Sequence, residues 1–191
     1  MGRTQAFDTA TAVAAARDVF WEKGFEAASL ADLEQATGLN RSSLYRTFES
    51  KRGLYDAAVA DYLATVIAPR LARLASGSDP RLALREYFGT LARFIEATPA
   101  DSPKRGCLLL NSAAGIAGSD DEQRAIVDDY RASLHRAFAS TLNQAHPELS
   151  EQSLTRRARL LVSLTASALL LSRVNPGEAV AMLETADALI D

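Results

Sequence analysis

The chain has one cysteine, Cys107, so no internal disulfide can form, and with only two histidines beside it the donors are too few for a zinc cluster. A reducing, cytoplasmic setting fits that usage. Long apolar runs are missing too. The longest, residues 160–171, is broken by Ser163, Thr165 and Ser167 and falls short of the roughly 20 residues that span a bilayer, so no membrane role is expected. No charged stretch followed by an apolar run opens the sequence, and no leader is expected. There is no glycine-rich phosphate loop, no nucleophile elbow, no His/Glu metal motif and no histidine paired with Cys107. An enzyme is therefore set aside, and neither a metal nor a cofactor is expected.

The absence of alternating β-branched runs excludes a sheet, while apolar residues recur at spacings of three and four almost throughout. The fold is read as all-α, with about nine helices. A first helix starts near Asp8 or Thr9, turns Ala10, Val13, Ala14, Phe20 and Trp21 mostly to one side, and ends at Lys23-Gly24. Ser29 and Asp32 form a capping box for a short second helix that stops at Gly38. Asn40 caps a third, ending around Phe48, and Ser50 caps a fourth that runs into the mid-seventies with a kink at Pro69. Further starts lie at Asp79-Pro80, at residues 119–122, at Ser150 and at Asn175-Pro176, with the longest loop at residues 98–103.

Two short helices joined at a glycine and packed on a longer first helix make a helix-turn-helix, whose second short helix enters the DNA major groove. Leu30, Leu33 and Ala36 are expected to point inward from one short helix, and Leu44 and Phe48 from the other. Ser42, Ser43, Tyr45 and Arg46 are left outward, with Arg41 in the first turn. The net charge of −3 is no sign of nucleic-acid binding, but its distribution is informative. No acidic residue falls between Glu34 and Glu49, whereas Arg41 and Arg46 lie in that gap, with Lys51 and Arg52 just beyond it. Phosphates would meet no carboxylate there.

Gly24-Phe25, Ser29-Leu30, Gly38-Leu39 and Leu44-Tyr45, followed by Phe48 and Lys51, resemble the signature of the TetR family of bacterial transcriptional regulators. Phe20-Trp21 ahead of Gly24-Phe25 is similar as well. The resemblance implies that Arg41, Ser42, Ser43 and Arg46 approach bases, while Ser29, Tyr45, Thr47 and Lys51 hold phosphates. Thr47 departs from the His or Tyr common at its position. The Gly2-Arg3 arm is similar to short basic extensions that reach the minor groove.

The resemblance further implies a DNA-binding domain over residues 1–52 and a helical effector-binding and dimerisation domain over residues 53–191. The expected protein is a homodimeric repressor that binds double-stranded DNA at a palindromic operator and is released by a small-molecule effector. The last two helices, residues 151–173 and 176–190, carry broad apolar surfaces, and Ala166, Ser167 and Ala168 would let helices approach closely across a two-fold axis. Tyr62, Tyr87, Phe88, Phe94, Asn111, Tyr130 and His135 are candidate effector contacts. Cys107 joins them, and the neighbouring Lys104 and Arg105 suggest an alternative, a redox- or electrophile-responsive switch through a reactive thiolate.

Overall fold

The computed structural model describes residues 8–99, 102–113 and 115–191, so the Gly2-Arg3 arm lies outside the described residues. The helices are α1 (Thr9–Ala27), α2 (Leu30–Thr37), α3 (Arg41–Phe48), α4 (Lys51–Tyr62), α5 (Ala68–Ser76) and α6 (Pro80–Ala97). They continue with α7 (Leu108–Ala113), α8 (Asp121–Ala145), α9 (Glu151–Leu171) and α10 (Pro176–Ala188). Because α4 and α5 form one continuous rod through a π turn at Leu63–Ile67, the described residues hold nine helical rods and no strand.

Local chemistry sets most of the boundaries. The Oγ of Ser29 accepts the Asp32 amide at 3.1 Å, and the Asp32 carboxylate accepts the Ser29 amide at 2.9 Å, closing the capping box. Asn40, Ser50, Asp79, Asp120, Ser150 and Asn175 cap α3, α4, α6, α8, α9 and α10 through side-chain oxygens. Gly38 ends α2 with φ 68° and ψ 10°, a left-handed conformation that strains any residue carrying a Cβ. At Pro69 the rod lacks an amide, and the proline ring crowds the carbonyl four residues back. The π turn relieves this by widening the helix, and the Ala68 amide bonds to the Leu63 carbonyl, five residues back.

The first helix buries Ala12, Val13, Ala16, Phe20 and Trp21. Its inward stripe is centred on residues 13, 16 and 20, so Ala10 is exposed and Ala14 only half-buried, contrary to expectation. Ala36 is exposed as well; the inward role at that end of α2 passes to Thr37, whose hydroxyl donates to the Leu33 carbonyl at 2.6 Å. The chain turns at Gly24 (φ 75°, ψ 174°), leaving carbonyls at the end of the first helix without helical partners. Side chains from distant parts of the chain supply them. Arg173 donates to the carbonyls of Trp21 (3.2 Å) and Glu22 (2.9 Å), and Asn111 donates to that of Trp21 (3.3 Å).

Aromatic rings fasten α1 to α4. Phe20 and Phe25 each meet Tyr55 edge-on at 5.1 Å, and Trp21 meets Tyr62 at 4.9 Å. Edge-to-face pairs of this kind add about 0.5–1.5 kcal/mol beyond the area they bury. In the remainder of the chain, α6 packs on α8 and α10, and α9 packs on α8 and α10. No helix among the described residues is long and apolar enough to cross a membrane.

Candidate nucleic-acid interface

The interface is built on two anchors, Leu33 of α2 and Leu44 of α3, both buried. Burying a leucine contributes about 1.5–3 kcal/mol, enough to fix which side of an eight-residue helix faces in. Leu44 therefore determines which residues face out: Arg41, Ser42, Tyr45, Arg46 and Thr47 are exposed, and Ser43 is half-buried with its amide donated to Asn40 Oδ1 at 2.9 Å. At 1.5 Å per residue α3 is about 12 Å long. The major groove is about 12 Å wide, which admits a helix about 10–12 Å across with its side chains.

Tyr45 and Lys51 are held in place before any ligand arrives. The Arg41 guanidinium lies over the Tyr45 ring at 5.5 Å, and the Lys51 ammonium lies over the Phe25 ring at 4.7 Å while donating to the Glu26 carbonyl at 3.4 Å. An ammonium has three donors, which leaves Lys51 free to reach an oxyanion. Ser29 differs. Its hydroxyl already donates to Asp32 at 2.7 Å, so what it offers an anion is the first turn of α2 rather than its own oxygen.

Three contacts in this region do not follow from spacing along the sequence. Gly53, in the first turn of α4, passes so close to α3 that a Cβ there would lie 2.1 Å from the Phe48 carbonyl oxygen. Lys23 binds Asp32 at 2.7 Å, tying the end of the first helix to the start of α2. That ammonium, followed by the Ser29 hydroxyl and amide, holds the Asp32 carboxyl well below the usual carboxylate range.

The third is Arg52, which bonds Asp56 at 2.8 Å, Glu122 at 3.2 Å and the Asp120 carboxylate, clasping the start of α4 to the start of α8. Buried Gln123 joins the cluster by donating to Asp56 at 2.9 Å. The Arg52 guanidinium, then the Gln123 amide, lowers the Asp120 carboxyl. A lowered folded-state value means that the pair's contribution is complete above the unfolded value of about 3.9 and is lost as pH falls through the folded one. Arg52→Gln will therefore be less stable than the parent at neutral pH, and the gap will narrow as pH drops below about 4. Urea unfolding at a series of pH values checks this; a gap unchanged at low pH would sink it.

The effector candidates fall into separate places. Tyr62 is buried and donates to Cys107 Sγ at 3.3 Å. Phe88 stacks on Phe138 at 5.6 Å, and Tyr87 meets both rings edge-on at 5.3 and 5.2 Å. Burial pushes the Tyr62, Tyr87 and Tyr130 hydroxyls up, and Cys107 adds to the rise in all three. Tyr87 and Phe94 also line a cavity of about 310 Å³ between α5 and α6, with Leu74, Ala83 and Leu91. Asn111 instead faces α1, and His135 lies 3.4 Å from the Thr155 carbonyl on α9.

Cys107 is only 1% exposed, and the cations expected to activate it are engaged elsewhere. Lys104 pairs with Asp18, and Arg105 donates to the carbonyls of Thr98, Pro99 and Ser172. The redox reading is corrected accordingly: a thiol this deeply buried, bonded by the Tyr62 hydroxyl and with Lys104 and Arg105 engaged elsewhere, is a packing residue.

A three-helix unit exposing arginines beside buried Leu33 and Leu44, joined to a larger helical body, defines a helix-turn-helix transcriptional regulator. Residues 12–58 match the bacterial regulatory proteins of the tetR family. The chain is 33% identical over 145 residues to the uncharacterized HTH-type transcriptional regulator YezE of Bacillus subtilis, covering 76% of this chain and 73% of that one. It is 35% identical over 116 residues to the HTH-type transcriptional repressor ComR of Escherichia coli, covering 60% of this chain but only 54% of ComR. The matched part thus spans about half the length of ComR. Among solved structures, a cysteine mutant of the TetR family regulator CifR, complexed with 26-bp double-strand operator DNA, superposes with a TM-score of 0.79. It has 26% identity, with 98% of each chain covered. The chain belongs to the TetR family of DNA-binding transcriptional regulators.

Proposed function

We propose that this regulator acts in the cytoplasm as a homodimeric repressor of a palindromic operator, released when a small-molecule effector binds among helices α4 to α8. Residues 1–52 are the DNA-binding domain, and residues 53–191 serve effector binding and dimerisation. The observation that carries the DNA reading is the outward face of α3, where Arg41, Ser42, Tyr45, Arg46 and Thr47 are exposed around the inward Leu44. Arg41, Ser42, Ser43 and Arg46 approach base edges; Tyr45, Thr47, Lys51 and the start of α2 at Ser29 hold phosphates. ComR is named a repressor, and CifR is complexed with operator DNA; both support this reading.

Dimerisation is supported by α9. Leu160 and Leu170 are 45% and 49% exposed and, with exposed Ser163 and half-buried Ser167, repeat at spacings of three and four along one stripe of the helix, while Val174, 82% exposed, follows in the turn after it. Ala168, one of the three small residues expected to let helices approach closely, is buried within the protomer instead, leaving half-buried Ala166 and Ser167 for that role. A two-fold pair would present its α3 helices to successive major grooves about 34–36 Å apart. Release requires that the effector prefer the DNA-incompetent arrangement. The Arg52 clasp provides a physical route, since it joins the α3–α4 junction to α8.

Selection of duplexes from fragments of the source genome tests the proposal. Tyr45→Ala and Lys51→Ala should weaken binding to every selected sequence alike. Arg46→Ala and Ser43→Ala should relax preference at particular bases, by about 1–3 kcal/mol where a bidentate arginine is lost. Identical selection profiles for all four variants would count against these roles, and the absence of salt-sensitive binding to any duplex would sink the regulator reading itself.

A further inference from the structure

We infer that the cavity between α5 and α6 binds a small amphipathic carboxylate, its charged end held by Arg70 and Arg73 and its apolar body packed against Tyr87, Leu91 and Phe94. This deepens the effector reading above by giving the ligand a chemical class, and rests on that reading only for its regulatory consequence.

The charge pattern comes first. Arg70 and Arg73 stand three residues apart on α5, so their side chains share one face, and both line the cavity. Among the described residues no carboxylate lies within ion-pair distance of either. Glu86, the acid in the cavity lining, leaves the wall with a net positive charge. The guanidinium of Arg70 rests over the Phe94 ring at 5.5 Å, which fixes its position without consuming its N–H donors. Its charge also reaches inward, opposing the upward shift that burial gives Tyr62, Tyr87 and Tyr130.

The rest of the wall decides what kind of anion fits. Leu91 is buried, and Tyr87 and Phe94 are half-buried, so most of a ligand's surface would meet hydrocarbon and ring faces. Inorganic phosphate would leave that surface uncovered. A planar carboxylate matches the arginine fork at one end, and an apolar body matches the wall at the other. The volume of about 310 Å³ lies at the small end of the range for ligand pockets, roughly 300–1,000 Å³, which favours one- or two-ring compounds over larger ones.

Calorimetric titration of the DNA-free full-length chain with 2-naphthoate and with its neutral analogue, 2-naphthamide, tests the assignment. Naphthoate should bind saturably, and the amide about tenfold more weakly or worse. Replacing both arginines (Arg70→Gln with Arg73→Gln) should bring naphthoate down to the affinity of the amide while far-UV circular dichroism stays unchanged. Glu86→Gln, which removes the opposing charge, should tighten naphthoate binding. Equal affinity for the two probes, naphthoate binding indifferent to the arginine substitutions, or no saturable binding would each overturn the proposal. Because no DNA is present, a failed titration leaves operator selection standing, and a failed selection leaves the titration standing.

Discussion

Gly53→Ala is expected to destabilise the protein by about 1–3 kcal/mol, the usual cost of forcing an extra carbon into a filled space. Intrinsic helix propensity predicts the opposite sign, a gain of up to about 1 kcal/mol for alanine over glycine. The geometry decides between them. The added Cβ would stand 2.1 Å from the Phe48 carbonyl oxygen and 3.3 Å from its carbon, and both are backbone atoms that cannot rotate aside. That carbonyl is also pinned, since it accepts the Ser50 amide at 2.7 Å across a turn in which Glu49 already takes a φ of 65°. Relief must come from moving α3 away from α4. Such a movement shifts Arg41, Ser42 and Arg46 together, so operator affinity should fall about tenfold or more, the equivalent of losing one good base contact. Thermal unfolding and a binding titration check the two parts; an alanine variant more stable than the parent would show that propensity outweighs the contact.

Leu170→Asp should convert a dimer to a monomer and lower operator affinity by about 10²–10⁴, the avidity forfeited when two linked recognition helices become independent. Leu170 is 49% exposed in the protomer, so an aspartate there meets water and should leave the helix content of the chain unchanged. At a two-fold α9 interface the same carboxylate would face its own copy in an apolar seam, with neither a partner nor solvent. Sedimentation gives the mass, and titration with a selected operator gives the affinity. A variant that remains dimeric with parental affinity would place the subunit contact elsewhere than this stripe of α9.

The local elements were legible because their causes lie within a few residues of one another. Ser29 and Asp32, Asn40 and Ser43, Ser50 and Gly53 are each three apart, and every one of these pairs makes the capping bond that its sequence implies. The inward positions of Leu33 and Leu44 follow from the same helical period. Periodicity was less accurate where a stripe has two plausible centres, as with Ala10 and Ala14 against Ala12 and Ala16, because small residues weigh little in choosing a face. It could not sort the candidate effector contacts at all. Phe88 and Tyr87 are neighbours in the chain, yet one is core and the other reaches the cavity.

The sequence by itself therefore determined the all-helical class, the turn at Gly38 and most of the side chains that α3 turns outward, half-buried Ser43 excepted, since these depend on hydrogen bonds and spacings of three or four residues. Tertiary structure alone decided why Gly53 must be glycine, how Arg173 and Asn111 satisfy the carbonyls freed at Gly24, how Arg52 ties α4 to α8, and why Cys107 is enclosed while Arg70 and Arg73 face a cavity. Each of those depends on groups brought together by the packing of separate helices, and no local period in the chain encodes such a meeting.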